Sequence, residues 1–304
     1  MLVKEWTLAG AVIFSKIHSA YPTAPRRNRA PKQSPSAAAV LEVNKRNMIR
    51  KIQRLICANF GCGDGFITCT SNDEHLPKDN AAARKQIERF LRRLRRWYKR
   101  RGLPFKYLYV SEIGESGRHH VHIIINGGPS SGELRELWGY GDINRKDIYD
   151  QDGEDSAVLA TYLGKEKAID IRNYQKNKRA FSHSRNLVDP LPVRDTVKNA
   201  ELDCPTPHPG FYIDKDSIFE GINPFTGRAF KAYTEKPLIV ERGAPPARDT
   251  FPLIVSTIKA YHRKRKHQPI ADGTLRWIRE NLKGGAQYEF DIDALLADAE
   301  GVAA

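Results

Sequence analysis

Between Asn80 and Arg101 the apolar side chains Ile87, Phe90, Leu91, Leu94 and Trp97 recur at i, i+3, i+4 and i+7. That spacing predicts an amphipathic helix with one buried stripe, closed by Gly102 and Pro104. An earlier stretch, Ala37–Phe60, carries Val43, Met48, Ile52, Leu55 and Ile56 at helical spacing among basic residues, and the glycines from Gly61 to Gly65 stop it. The period then changes. Phe66-Ile-Thr-Cys-Thr70 is a short β-branched run that predicts a central strand, and Phe105–Ile113 and Arg118–Asn126 predict two more. Gly132–Trp138 reads as a short helix, Asp142–Tyr149 as a strand and Ser156–Ala168 as a helix.

The order α-β-α-β-β-α-β-α has a hairpin at its middle, so the sheet contains antiparallel pairs. This is an α+β layer fold, not a doubly wound one. Residues 1–36 are expected to be a disordered basic tail, on the strength of the Pro, Ser, Ala and Arg of Ala20–Ala39. Residues 37–190 form the expected main domain. Residues 191–304 read as a less regular C-terminal region, with a hairpin turn at Asn223-Pro-Phe-Thr-Gly227, a basic run at Tyr261–His267 and a last helix over Thr274–Leu282.

Composition narrows the partner. Fifty Lys and Arg against 36 Asp and Glu leave a formal charge of +14 and a pI near 9.6. Such a balance favours a polyanion, nucleic acid first. Ten of those cations fall between Arg84 and Arg101, among them Arg92 and Arg96, and they are expected to track a phosphate backbone. The four cysteines form no CxxC pair, which argues against a zinc knuckle and suits a reducing cytoplasm. No apolar run is long enough for a membrane span, and Trp6–Phe14 lacks the flanks of a signal peptide.

The chemistry concentrates in Val110-Ser-Glu-Ile-Gly-Glu-Ser-Gly-Arg-His-His-Val-His-Ile-Ile-Ile-Asn126. Residues two apart on a strand share a face, so His120 and His122 project together and His119 projects away. With a turn at Glu115-Ser116-Gly117, Glu112 falls opposite His120. Two imidazoles and one carboxylate suit Mg²⁺ or Mn²⁺ and leave positions for phosphate oxygens. Glu115, in the turn, ranks second as the carboxylate.

Further on, Tyr162 and Lys165 lie at i and i+3 of the predicted helix, on one face. A phenol with a pKa near 10 is a weak nucleophile at neutral pH. A neighbouring cation such as Lys165 helps it, as does a phosphate already polarised.

Taken in order, these segments resemble the HUH endonuclease superfamily, most closely the rolling-circle replication initiators of small single-stranded DNA phages, prophages and plasmids. Phe66–Thr70 is similar to the family's first strand motif, His120-Val-His122 to its His-hydrophobic-His motif, and Tyr162-Leu-Gly-Lys165 to its tyrosine motif. Lys178–Leu187 resembles a segment that follows the tyrosine helix in phage-type proteins. The resemblance spans about residues 40–190.

It implies a ferredoxin-like palm, an antiparallel sheet with the histidines at its centre and helices outside. It implies Mg²⁺ or Mn²⁺ as cofactor, single-stranded DNA or an origin hairpin as substrate, and attack by Tyr162 that leaves a 5′-phosphotyrosyl link and a free 3′-hydroxyl. Thr68, Thr70, Arg118, His119, Arg92, Arg96 and Arg185 are then expected to contact DNA.

One departure stands out: Leu163–Ala168 holds no second tyrosine, and Tyr174 is twelve residues on, so a two-tyrosine relay does not fit. No Gly-x-x-x-x-Gly-Lys-Ser/Thr loop occurs, so a host helicase and polymerase in a bacterial cytoplasm are expected.

Three rivals frame the reading. A relaxase or tyrosine transposase makes the same cut. A non-catalytic single-stranded nucleic-acid module would need exposed aromatics on its central strands. A non-haem iron oxygenase would leave the basic composition and the tyrosine helix without a role.

Overall fold

The computed structural model describes residues 2–19, 37–113, 119–148, 159, 163, 181–223, 227–238, 251–262 and 269–282. The chain divides into two compact units, residues 60–187 and residues 1–59 with 188–304. Each carries its own five-stranded antiparallel sheet, so the fold is α+β as expected. Among the described residues no helix is long and apolar enough to cross a membrane.

The unit of residues 60–187 builds its sheet from β3 (Gly65–Thr70), β4 (Tyr107–Ile113), β5 (His119–Ile125), β6 (Ile143–Asp147) and β7 (Ser182–His183). They lie in the order β6-β3-β5-β4-β7. Helix α2 (Asn80–Arg100) is capped by Asp79, whose carboxylate accepts from Ala82 N, and α3 (Ser131–Trp138) by a Ser130/Glu133 capping box.

Alternation along the strands sets the faces. Ile67, Cys69, Val121, Ile123 and Ile125 meet Ile87, Phe90, Leu91 and Leu94 of α2 and Leu134 and Trp138 of α3 in one core. The intervening residues face the opposite side. The stripe read from the α2 sequence is therefore the side that packs on the sheet, and its cations are left outside.

The second unit holds β1 (Leu2–Ala9) and β2 (Val12–Ser19), a hairpin where a disordered tail was expected. α1 (Ala37–Asn59) also belongs to this unit, so the expected boundary at residue 37 moves to residue 60. The C-terminal region is more regular than its Pro and Gly content suggested. It supplies β8 (Val193–Val197), a helical turn α4 (Ala200–Asp203), β9 (Phe211–Asn223), β10 (Arg228–Pro237), α5 (Phe251–His262) and α6 (Asp272–Leu282). The expected turn joins β9 to β10, with Gly227 N bonded to Asn223 O at 2.7 Å.

The sheet order is β8-β1-β2-β10-β9. β1 and β2 are thus interior strands with apolar residues on both faces. Trp6, Leu8 and Ile13 pack with Ile254, Ile258 and Ile278. Ala9, Val12 and Phe14 pack with Cys57, Ala58 and Ala271. A strand buried on both sides shows no alternation, which hides it in the sequence. Gly10 turns the hairpin at φ +60°, and a Cβ there would stand 2.3 Å from the Cys57 carbonyl oxygen.

A buried carboxylate ties the two ends of the chain within this unit. Glu235 of β10 is fully buried. It accepts from Ser15 Oγ at 2.6 Å and from both the backbone N and Nδ1 of His208 at 2.7 Å, with Lys4 Nζ 3.4 Å away. Burial pushes the carboxyl's pKa up, but the hydrogen bonds and charge of His208 together with the charge of Lys4 outweigh it and hold the pKa below the usual value.

Removing one partner of such a group leaves the others unpaired in the core. Glu235→Ala is therefore expected to cost about 3–5 kcal/mol, read by denaturant unfolding. Because the folded carboxyl is the stronger acid, its contribution is present above the ordinary carboxylate range and lost as pH falls through and below it. The wild type should lose stability on acidification more steeply than Glu235→Ala.

Candidate active site

β5 is the middle strand of its sheet, and its sequence His119-His-Val-His-Ile-Ile-Ile125 alternates between two environments. Val121, Ile123 and Ile125 anchor it on α2 and α3. His120 and His122 face the other way, as expected. His119 shares the face of Val121. Burial and the neighbouring His120 lower its pKa against a smaller opposing effect of Asp79, so it is neutral at physiological pH.

The strand register decides the partners. Thr68 pairs with His122 and Thr70 with His120 across β3. Thr68 Oγ1 lies 3.1 Å from His122 Nδ1, and Thr70 Oγ1 lies 3.2 Å from His120 Nδ1. In the tautomer protonated on Nδ1, each imidazole donates to its threonine and presents the Nε2 lone pair. That is the form a metal ion requires. Phe66 stacks against the His122 ring at 5.8 Å between centroids and 9° between planes. His122 is buried and held from two sides, whereas His120 is half-exposed.

On the other flank Glu112 of β4 pairs with His120, the register expected from the short turn. Its side chain lies outside the described residues. Among the described residues no three His, Cys, Asp or Glu side chains gather into a metal site. The donor set nevertheless fits a hard divalent cation: two imidazoles fixed through Nδ1, with a carboxylate residue across the strand from His120.

Tyr162, Lys165 and Arg118 lie outside the described residues. Leu159 and Leu163, which bracket Tyr162, are helical, and Leu163 is fully buried.

Arg92 and Arg96 are exposed on the outer face of α2. The sheet therefore lies between them and the histidines. They do not join the His120 site, because the apolar stripe of α2 turns its charges outward.

The segment that follows the tyrosine region has a structural task. Ser182 and His183 add β7 to the sheet edge beside β4. Buried Ser184 exchanges bonds with Tyr107: Tyr107 N donates to Ser184 Oγ at 3.1 Å, and Ser184 N donates to Tyr107 O at 2.9 Å. Arg185 follows in an exposed turn.

One positioning residue left no readable mark in the sequence. Gly141 sits at φ +148°, where a Cβ would stand 2.5 Å from the Thr70 carbonyl oxygen and 2.6 Å from Asn72 N. This close approach lets Thr70 N donate to Asp142 O at 2.9 Å and Trp138 Nε1 donate to Thr70 O at 3.2 Å. The end of β3, which carries Thr70, is pinned there.

Over residues 64–167, about a third of the chain, the sequence matches the model of the ORF2-type family of replication-associated proteins. The chain is similar to replication-associated proteins. The matched stretch runs from the start of β3 through the His120 strand and past Tyr162. No curated protein compared with the chain matches it.

Gly141→Ala is expected to push β3 away from the α3–β6 connection and to destabilise the unit by roughly 1–3 kcal/mol. The shift should appear as a lowered unfolding midpoint and as changed imidazole resonances of His120, the partner of Thr70.

Proposed function

We propose that the chain initiates rolling-circle DNA replication by nicking single-stranded DNA through a phosphotyrosyl intermediate. One observation carries the reading. Two imidazoles on a central strand are each bonded through Nδ1 to a threonine of the next strand, within the stretch that matches replication-associated proteins.

In this reading His120, His122 and Glu112 hold Mg²⁺ or Mn²⁺, which when bound polarises a phosphodiester and neutralises its developing charge. Thr68 and Thr70 fix the tautomer and aim the rings. The Tyr162 oxygen forms the new bond to phosphorus and gives up its proton. The bond to the 3′ oxygen breaks, and that oxygen leaves as a hydroxyl once protonated. Lys165 favours the phenolate or holds the phosphate. The energy of the broken ester is kept in the tyrosyl ester for rejoining.

A relaxase or transposase would use the same chemistry. The family match to replication-associated proteins favours replication. On the central strands the histidine face offers threonine and histidine where a stacking module would show exposed aromatics.

The test is a denaturing protein gel after incubation with labelled single-stranded oligonucleotides tiled across the gene and its flanks, with Mn²⁺ or EDTA. A Mn²⁺-dependent, protease-sensitive adduct is expected from the wild type. It should be absent from Tyr162→Phe, which still binds DNA, and from His120→Ala. Tight binding without an adduct would favour a binding module instead.

Thr68→Val keeps the shape and removes the Nδ1 partner, so Mn²⁺ affinity, read by calorimetry, should fall roughly 10- to 100-fold, as is typical when a ligand's outer partner is lost. Arg92→Ala with Arg96→Ala should leave the cleavage rate of short oligonucleotides unchanged and make binding of longer DNA less salt-dependent, because those charges stand behind the sheet.

A further inference from the structure

Because β6 pairs with β3 in a known register, the histidine face can be followed to its edge. Asn144 is the partner of Thr68 and Lys146 the partner of Phe66. Thr68 and Phe66 in turn pair with His122 and Ile124, and these with Val110 and Leu108. Residues paired across antiparallel strands share a face. Two rows therefore cross the sheet from β4 to β6: Val110, His122, Thr68, Asn144 and Leu108, Ile124, Phe66, Lys146. The alternate β6 residues turn the other way. Ile143 joins the α2 core, and Arg145 bonds the Pro129 carbonyl and Asp147.

Exposure rises steadily along the row that holds His122. Val110 is fully buried, His122 is 4% exposed, Thr68 is half-exposed and Asn144 is exposed. The neighbouring row runs from fully buried Leu108 to exposed Lys146. The β4 side of the histidines is closed and the β6 side is open. A strand of DNA that reaches His120 and His122 has to come over β6.

We propose that Asn144 and Lys146 form a backbone-binding subsite for single-stranded DNA, next to the histidine pair and upstream or downstream of the phosphate it holds. The inference rests on the reading of the histidine face as a DNA site. β6 and β5 lie two strand spacings apart, roughly 10 Å, the span of one to two nucleotides. Lys146 has no ion-pair partner among the described residues, and Asp147, which pairs with Arg145, faces away from it. Its ammonium is therefore free to meet a phosphate as a point charge. Asn144 offers an amide donor to a phosphate oxygen or a base edge.

An exposed lysine on an edge strand can also serve only to deter sheet-to-sheet pairing. The two roles give different results. Binding of the tiled single-stranded oligonucleotides is measured by fluorescence anisotropy in EDTA across a salt series, for the full-length wild type, Lys146→Ala and Asn144→Ala. Cleavage is measured in parallel with Mn²⁺.

For Lys146→Ala the slope of log affinity against log salt is expected to become shallower by about 0.7, one phosphate contact on a single strand. KM should rise with kcat unchanged. Truncating the oligonucleotide on one flank of the nick should erase the difference between variant and wild type. Asn144→Ala should raise KM without changing the slope.

An unchanged slope and KM in Lys146→Ala, even with more aggregation, would overturn the subsite. Because binding is read in EDTA, a wild type that never forms an adduct but shows the Lys146-dependent slope would sink the nicking reading and leave the subsite standing.

Discussion

Pairing of β3 with β5 is the constraint on which the rest of the site depends. It sets Thr68 against His122 and Thr70 against His120, so one ladder of backbone hydrogen bonds fixes two imidazole orientations at once. A one-residue slip would turn both histidines into the α2 core and bring Val121 and Ile123 to the open face. The apolar residues that alternate with the histidines prevent that slip. Burial of Val121, Ile123 and Ile125 against α2 therefore specifies the site as firmly as any contact the histidines make.

The same alternation separates two kinds of charge. α2 gives its apolar stripe to the back of the sheet and keeps its cations in solvent, while the histidine face is closed beyond Val110 and Leu108 and opens over β6. In the proposed function the long-range attraction of DNA and the local positioning of one phosphate are therefore assigned to opposite faces. The first decays with salt, and the second depends on short contacts.

The unit of residues 1–59 and 188–304 obeys a different logic. Its sheet joins strands from both ends of the chain, and Glu235 accepts from Ser15 and His208 beneath Lys4. Several donors must converge from distant positions before the buried carboxylate is stabilised, so this cluster favours a single arrangement of the ends.

How much of this was legible from residues alone follows from how local each feature is. The α2 stripe, the strand motif at Phe66–Thr70 and the shared face of His120 and His122 rest on short periodicities, and the sequence was enough for them. Glu112 opposite His120 was readable as well, because a short turn leaves little freedom in register. The β1–β2 hairpin was not, since strands buried on both faces carry no alternation and their partners lie about 200 residues away. Only the tertiary structure decided that α2 stands behind the histidines, that Ser182 and His183 complete the sheet edge, that Gly141 must lack a side chain, and that Asn144 and Lys146 flank the open side. Each of these depends on which strand neighbours which and in what register, and non-local pairing leaves no period in the chain.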